Sequence, residues 1–379
     1  MADTQRPLNR VIISGGGTGG HIHPALAIAD EIKRKHPHCN ILFVGAKGRM
    51  EMEKVPAAGY AIKGLWITGV DRNWRSLRNW IFPLKLISSL WNARRILRKF
   101  RPELVVGVGG FASGPVLDQA ARMGIPTAVQ EQNSFPGITN RLLAKRVRLI
   151  CAGFPGLERW FPKERIIETG NPLRTQVLDA VQNDALTPAV AAEHFGFSGE
   201  RPIVFVMGGS LGAASMNAAV CKLVEGRTEP LPFDLIWQTG ARYHADMQSR
   251  VEEWPAEVSA GIRCLGFIDR MDLAYAASTV IASRAGAMSI AELALVGKPT
   301  ILVPSPVVAE DHQTKNARSL SDRDGAVLLA DRDVVEGLGA ALDTLLNDTQ
   351  RTKTLRSNLL QAARPEAAAD VVRELEKLL

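Results

Sequence analysis

A chain of 379 residues, with 46 Lys/Arg against 39 Asp/Glu and 46% hydrophobic residues, is long enough for two domains with separate cores. Charged residues at 22% beside many aliphatics exclude a disordered chain, and no collagen or coiled-coil period is present. Residues 1–170 hold 26 Lys/Arg and 12 Asp/Glu, a balance of +14, leaving 20 and 27, or −7, for the remainder. That asymmetry predicts an anionic partner for the front half only, with nucleic acid and anionic lipid both open on charge alone.

The polar N-terminus, MADTQRPLNR, leads directly into a strand pattern, so no signal peptide is expected. The first strand, Val11–Ser14, runs into Gly15-Gly-Gly-Thr-Gly-Gly20, and a helix is predicted over Pro24–Lys35. Strands follow at Ile41–Gly45, Leu104–Val108 and Thr127–Gln130. The second half repeats the plan: Ile203–Met207 runs into Gly208-Gly-Ser-Leu-Gly212, followed by a helix over Ser215–Val224 and a strand at Leu235–Thr239. Strands Val280–Ser283 and Thr300–Val303 flank a helix over Met288–Leu295, and Thr352–Leu379 reads as an amphipathic helical tail. Leu104–Gln130 and Val280–Pro304 echo each other as strand, glycine turn, helix, Gly-x-Pro, strand. Continuous apolar strands alternating with helices predict parallel sheets covered on both faces, that is, two doubly wound α/β domains in tandem. Ligands of such sheets bind beyond the carboxyl ends of the strands, so both glycine loops are expected to face one interdomain cleft.

No apolar run approaches the roughly 20 residues of a bilayer span, so the chain is expected to be soluble or peripheral. The four cysteines, Cys39, Cys151, Cys221 and Cys264, form no C-x-x-C pair, which predicts reduced thiols and no zinc module.

Gly15-x-Gly17-x-x-Gly20 has the spacing of a dinucleotide fingerprint, but the second strand ends Phe43-Val-Gly-Ala46 without the carboxylate that would hold a ribose. No Gly-Lys-Ser/Thr follows either loop, which excludes a Walker A site. What remains is close approach of backbone N–H groups and a helix N-terminus to a phosphate or sugar. His21, directly after the first loop, is suited to serve as a general base or to hydrogen-bond a substrate. His21 and His23 lack a nearby third metal ligand, and Asp322-Arg-Asp324 and Asp331-Arg-Asp333 read as solvated charge rather than as a metal-binding D-x-D.

Eight motifs in order resemble the MurG family of N-acetylglucosaminyltransferases. They are Gly15-Gly-Gly-Thr-Gly-Gly-His21, Gly109-Gly-Phe-Ala-Ser-Gly-Pro115, Glu131-Gln-Asn133 with Gly137-Ile-Thr-Asn-Arg141, and Gly170-Asn-Pro-Leu-Arg174. Gly208-Gly-Ser-Leu-Gly212, Gly266-Phe-Ile-Asp269, Ser283-Arg-Ala-Gly-Ala-Met-Ser-Ile-Ala-Glu292 and Asp311-His-Gln-Thr-Lys-Asn316 complete the set. The resemblance implies a GT-B fold with an N-terminal Rossmann-like domain over 1–170, a donor domain over 171–350, and a helix over 351–379 packing back on the first. It implies transfer of N-acetylglucosamine from UDP-GlcNAc to the 4-hydroxyl of the muramoyl sugar of undecaprenyl-linked lipid I, with inversion, giving lipid II for peptidoglycan. No metal and no cofactor are implied.

By the same resemblance His21 would be the catalytic base, and Thr18, Gly19, Gly20 and Asn133 would line the donor sugar and acceptor. Arg174 and Ser210 would contact phosphate oxygens, and Ile268 would meet the uracil through its backbone. Ala287, Met288 and Ser289 would face the diphosphate, Glu292 the ribose hydroxyls, and Gln313, with Asn316 nearby, the sugar. The loop before Gln313, Ser305-Pro-Val-Val-Ala-Glu-Asp-His312, differs from other members. Between Lys63 and Arg101 there are ten Lys/Arg against one acid, Asp71. Interleaved with these are Trp66, Trp74, Trp80, Trp91 and the apolar Ile81, Phe82, Leu84, Leu86, Ile87 and Leu90. Trp74, Arg75, Trp80, Phe82, Lys85 and Trp91 thus suit a bilayer interface with anionic headgroups, which the resemblance implies is the cytoplasmic face of the inner membrane. RNA binding and a plain core-covering helix are the alternatives for this stretch. The implied partners are UDP-GlcNAc, lipid I, that membrane surface and a cell-wall synthesis complex, with no nucleic acid. Another UDP-sugar lipid transferase and a non-catalytic nucleotide-sugar-binding subunit are the competing functions.

Overall fold

The computed structural model describes residues 7–69, 77–209, 211–308 and 311–379; Trp74, Arg75 and Ser210 lie outside them. Contacts divide the chain into two units, Met1–Arg174 with Pro365–Leu379, and Thr175–Arg364.

The first unit runs β1 (Arg10–Ser14), α1 (Gly19–Lys35), β2 (Asn40–Ala46), α2 (Glu51–Ala57), β3 (Ala61–Leu65) and α3 (Leu77–Phe100). It continues β4 (Leu104–Gly107), α4 (Ser113–Arg122), β5 (Thr127–Glu131), α5 (Ile138–Leu143), β6 (Leu149–Ala152) and β7 (Ile166–Glu168). Its sheet has the order β3-β2-β1-β4-β5-β6-β7 and is parallel throughout. The order reverses between β1 and β4, so their following loops leave the sheet side by side, with Ser14 in register with both Val44 and Gly107.

The second unit runs α6 (Thr175–Gln182), α7 (Pro188–His194), β8 (Ile203–Met207), α8 (Ala214–Val224), β9 (Asp234–Gln238), α9 (His244–Glu253), α10 (Ala256–Ser259) and β10 (Ile262–Leu265). Then come α11 (Met271–Ala277), β11 (Val280–Ser283), α12 (Ala287–Val296), β12 (Thr300–Leu302), α13 (His312–Ser321), β13 (Val327–Leu328), α14 (Val334–Asn347) and α15 (Thr349–Gln361). The order β10-β9-β8-β11-β12-β13 repeats the topology of the first sheet. The echo between Leu104–Gln130 and Val280–Pro304 is β4–α4–β5 and β11–α12–β12, the equivalent crossover in each unit. The central strands are wholly buried, as IVFVM in β8 and VIAS in β11 illustrate. Four of the five strands not anticipated, β3, β7, β10 and β13, form the sheet edges, where the apolar run is short or broken.

The division at Arg174 lies four residues beyond the expected boundary, and the expected tail helix over 351–379 is two helices. Residues of α15 belong to the second unit, where Leu355 and Leu359 are buried. After Pro365 the chain starts α16 (Ala367–Glu376), whose Val371, Val372 and Leu375 enter the core of the first unit. Proline has no N–H and biases the residue before it away from the helical conformation, which separates the two helices. Glu376 secures α16 to α1, 2.8 Å from His36 Nε2 and 3.4 Å from Lys35 Nζ.

Glycines are obligatory where the β1 and β4 loops meet. Gly110 has φ +86, and a Cβ there would lie 2.4 Å from the Gly16 carbonyl oxygen. Gly110→Ala is therefore expected to destabilise the first unit by about 2 kcal/mol, read as a lower denaturant midpoint at unchanged slope.

Candidate active site

In the first unit the candidate residues gather on the loop and first turn that follow β1. Thr18 is the N-cap of α1 in an extended conformation, and Gly19 and Gly20 are its first two residues. The helix thus starts five residues before the expected Pro24, which places His21 in its first turn. His21 Nδ1 lies 3.1 Å from the Gly16 carbonyl oxygen and 3.3 Å from Thr18 Oγ1. The ring's Nε2 edge faces the β4 loop, where a Cβ on Gly109 would come within 2.8 Å of it. A carbonyl only accepts, so this contact puts the proton of the neutral ring on Nδ1 and leaves Nε2 as the basic nitrogen.

Asn133 follows β5 and is held by a buried carboxylate that sequence reasoning passed over. Glu131 is 1% exposed and accepts from the Asn133 backbone N–H at 3.0 Å, its side-chain amide at 3.4 Å, Gly137 N–H at 3.2 Å and Asn140 Nδ2 at 2.8 Å. Burial raises the Glu131 carboxyl above the ordinary range, while these hydrogen bonds pull it back. Behind it Gln130 donates to Asn171 Oδ1 at 2.9 Å, and Asn171 donates to the Gln132 carbonyl at 2.9 Å. The Gly-Asn-Pro motif is thereby tied to the end of β5, and half-buried Arg174 closes the unit.

In the second unit Ala287, Met288 and Ser289 are the first three residues of α12, behind the extended N-cap Gly286. Their N–H groups precede the first intrahelical bond, from Ile290 to the Gly286 carbonyl, and point along the positive end of the helix dipole. Glu292, one turn on and 2% exposed, accepts from the Tyr275 hydroxyl at 2.9 Å. Tyr275, fully buried on α11, is a second residue that sequence reasoning did not single out. Ile268 is buried in the loop after β10. Gln313 Oε1 accepts from the Ser305 N–H at 2.9 Å, which fastens α13 to the loop after β12. Asn316 is buried and donates to the Ala285 carbonyl at 3.5 Å, just before α12.

Asp331 is not a solvated charge. Its carboxylate lies 2.5 Å from Arg284 Nη1 and accepts from Ser215 Oγ at 2.5 Å, and Arg284 also donates to the Val303 and Pro304 carbonyls. Asp324 similarly accepts from Arg351 at 2.6 Å and so holds α15. Both Asp-x-Asp segments serve the fold, since each faces a cation that arrives from a distant element. Among the described residues no three His, Cys, Asp or Glu side chains cluster as a metal site.

The Trp-rich stretch forms α3. Trp80, Leu84, Ile87 and Trp91 are 62–78% exposed and, spaced four, three and four apart, share one helix face. On the opposite face Ala93 and Leu97 enter the core, with Leu86 packed against it. Phe82 is half-buried, and Lys85 donates to Thr68 Oγ1 at 3.2 Å. Arg95 lies 5.8 Å over the Trp91 ring, and Arg94, Arg98 and Lys99 continue the basic surface. No helix among the described residues is long and apolar enough to cross a membrane.

Sequence comparison covers both units. The glycosyltransferase family 28 N-terminal domain matches residues 11–151, and the family 28 C-terminal domain matches residues 203–371. A protein of Christiangramia forsetii, named UDP-N-acetylglucosamine–N-acetylmuramyl-(pentapeptide) pyrophosphoryl-undecaprenol N-acetylglucosamine transferase, is 48% identical over 98% of both chains. A protein of Flavobacterium psychrophilum with the same name is 45% identical, again over 98% of both. Among solved structures, MurG of Acinetobacter baumannii superposes with a TM-score of 0.73 at 27% identity, covering 97% of this chain and 99% of that one. Two family 28 domains in the expected order, and close to half of all residues shared along nearly the whole length, establish that this chain belongs to the MurG family of glycosyltransferases.

Proposed function

We propose that this protein transfers N-acetylglucosamine from UDP-GlcNAc to the 4-hydroxyl of the muramoyl sugar of undecaprenyl-linked lipid I, giving lipid II. The observation that carries this is the 48% identity, over 98% of both chains, to a transferase whose name specifies this donor and acceptor. The local geometry supports it with chemistry suited to the reaction.

His21 Nε2 takes the proton of the acceptor hydroxyl as its oxygen attacks the anomeric carbon from the side opposite the diphosphate. The bond from that carbon to the diphosphate oxygen breaks, UDP leaves with the electron pair, and the configuration inverts. Negative charge grows on the leaving diphosphate, and the N–H groups of Ala287, Met288 and Ser289 stabilise it together with Arg174 and Ser210. Glu292 accepts from the ribose hydroxyls, the Ile268 backbone meets the uracil, and Gln313 holds the sugar. Thr18, Gly19, Gly20 and Asn133 line the donor sugar and the acceptor, where the lack of side chains at two glycines admits a sugar close to the backbone. No metal enters this scheme.

The test is transfer of labelled N-acetylglucosamine from UDP-GlcNAc to a lipid I analogue with EDTA present. Product formation is the expected result. UDP release without product would reassign the acceptor, and tight UDP binding without turnover would leave only a nucleotide-sugar-binding subunit.

The acceptor's polyprenyl chain keeps it in the bilayer, so the exposed face of α3 docks on the anionic cytoplasmic surface of the membrane. Tryptophans seat at the headgroup level, aliphatics reach below, and the arginines of the next turns meet anionic headgroups. On this reading the protein is a peripheral component of peptidoglycan synthesis, serving cell shape and division alongside other cell-wall enzymes. Trp80→Ser with Trp91→Ser removes two mostly exposed rings. The pair is expected to lower partitioning onto anionic vesicles at least tenfold, or about 1.4 kcal/mol, with the melting temperature unchanged. Unaltered co-sedimentation would reduce α3 to a core-covering helix.

A further inference from the structure

Glu51, the first residue of α2, lies beneath the first glycine loop and is 1% exposed. Both of its oxygens meet backbone donors: Oε2 accepts from Gly17 N–H at 2.8 Å and Oε1 from Ala46 N–H at 2.9 Å. Two glycines make room for it. A Cβ on Gly16 would lie 2.2 Å from the carboxylate carbon, and one on Gly45 would lie 2.5 Å from Cγ. Glu51 thus stands near the end of β2, where a dinucleotide fold keeps its ribose-binding carboxylate, but with both oxygens engaged inside the protein.

The Gly17 N–H belongs to the same peptide group as the Gly16 carbonyl. That carbonyl oxygen is the one 3.1 Å from His21 Nδ1. One peptide plane therefore carries a carboxylate at its N–H end and the imidazole at its oxygen end. An anionic acceptor on the N–H side polarises the peptide and makes its carbonyl a stronger acceptor, because linked hydrogen bonds reinforce one another in a low-dielectric interior. Which imidazole nitrogen keeps the proton is decided by the hydrogen bond that the other ring position makes. The Thr18 hydroxyl at 3.3 Å both donates and accepts, so it does not choose between tautomers, whereas the carbonyl does.

We propose that Glu51 is a positioning residue for His21, holding its imidazole in the Nδ1–H tautomer through the shared Gly16–Gly17 peptide. The kinetic consequence rests on His21 being the base; the tautomer does not. Glu51→Gln keeps the shape but replaces one acceptor oxygen by an NH2 that must oppose an N–H. It is expected to move neutral His21 toward the Nε2–H form and to lower kcat about 10- to 100-fold, part of what a general base contributes, with KM for UDP-GlcNAc unchanged.

The tautomer is read from the ring nitrogen shifts of enzyme labelled with 15N-histidine, the His21 signal being assigned by its loss in His21→Gln. A wild-type His21 protonated at Nε2 when neutral would overturn the proposal without any Glu51 variant, so it stays decidable if Glu51→Gln does not fold. So would Glu51→Gln retaining the Nδ1–H signature, whether or not kcat falls, since a fall alone would mark a structural role. Should His21→Gln keep full activity, the base assignment fails while the spectra still decide what Glu51 does.

Discussion

His21→Ala is expected to lower kcat by about 10²- to 10⁴-fold, the usual contribution of a positioned general base. The loss should fall on turnover at saturating UDP-GlcNAc, with UDP affinity unchanged, because the nucleotide contacts proposed above come mainly from the other unit. The geometry behind the expectation is specific. Nδ1 is committed to the Gly16 carbonyl at 3.1 Å, the ring sits in the first turn of α1, and its Nε2 edge runs past a glycine that offers it no side chain. Single-turnover transfer to a lipid I analogue, beside calorimetric titration with UDP, separates the two quantities. Near-normal turnover in His21→Ala would transfer the role of base to another group.

Glu292→Ala is expected to weaken UDP-GlcNAc binding about a hundredfold or more. A carboxylate accepting from ribose hydroxyls makes charge-assisted bonds of about 1.5–3 kcal/mol each, and 1.4 kcal/mol is tenfold in affinity. Glu292 is 2% exposed and one oxygen is bound to the Tyr275 hydroxyl at 2.9 Å, so the carboxylate is oriented before any ligand arrives and little is spent in ordering it. Alanine also leaves that buried hydroxyl without this acceptor, a cost of about 1–3 kcal/mol to folding. Glu292→Gln retains an oxygen for Tyr275 and serves as the control: it should keep the melting temperature closer to wild type while still losing affinity. Titration of UDP and UDP-GlcNAc into both variants checks this, and wild-type affinity in both would remove Glu292 from the ribose site.

Local regularity made much of the chain legible. Buried parallel strands read as unbroken apolar runs, and glycines at strand ends mark backbone that a side chain would obstruct, so two sheets, their repeated topology and the motif-bearing loops follow from the residues in order. The family follows from eight such motifs in sequence. Four of the five unforeseen strands lie at sheet edges, where the apolar signal is weakest, and α1 begins five residues early because Gly19 and Gly20 carry no helical signal of their own.

The amino-acid sequence by itself determined the fold class, the two glycine loops, and the positions of His21 and Glu292. Only tertiary structure decided what holds those groups in place. Glu51 serves Gly17 across 34 residues, Tyr275 reaches Glu292 across 17, and Asp331 meets Arg284 across 47. Asn171 joins Gln130 across 41 residues, and the tail divides between two cores at Pro365. Buried polar groups must find partners, but the partner is chosen by which elements the fold brings together, and no periodicity or spacing along the chain records that choice.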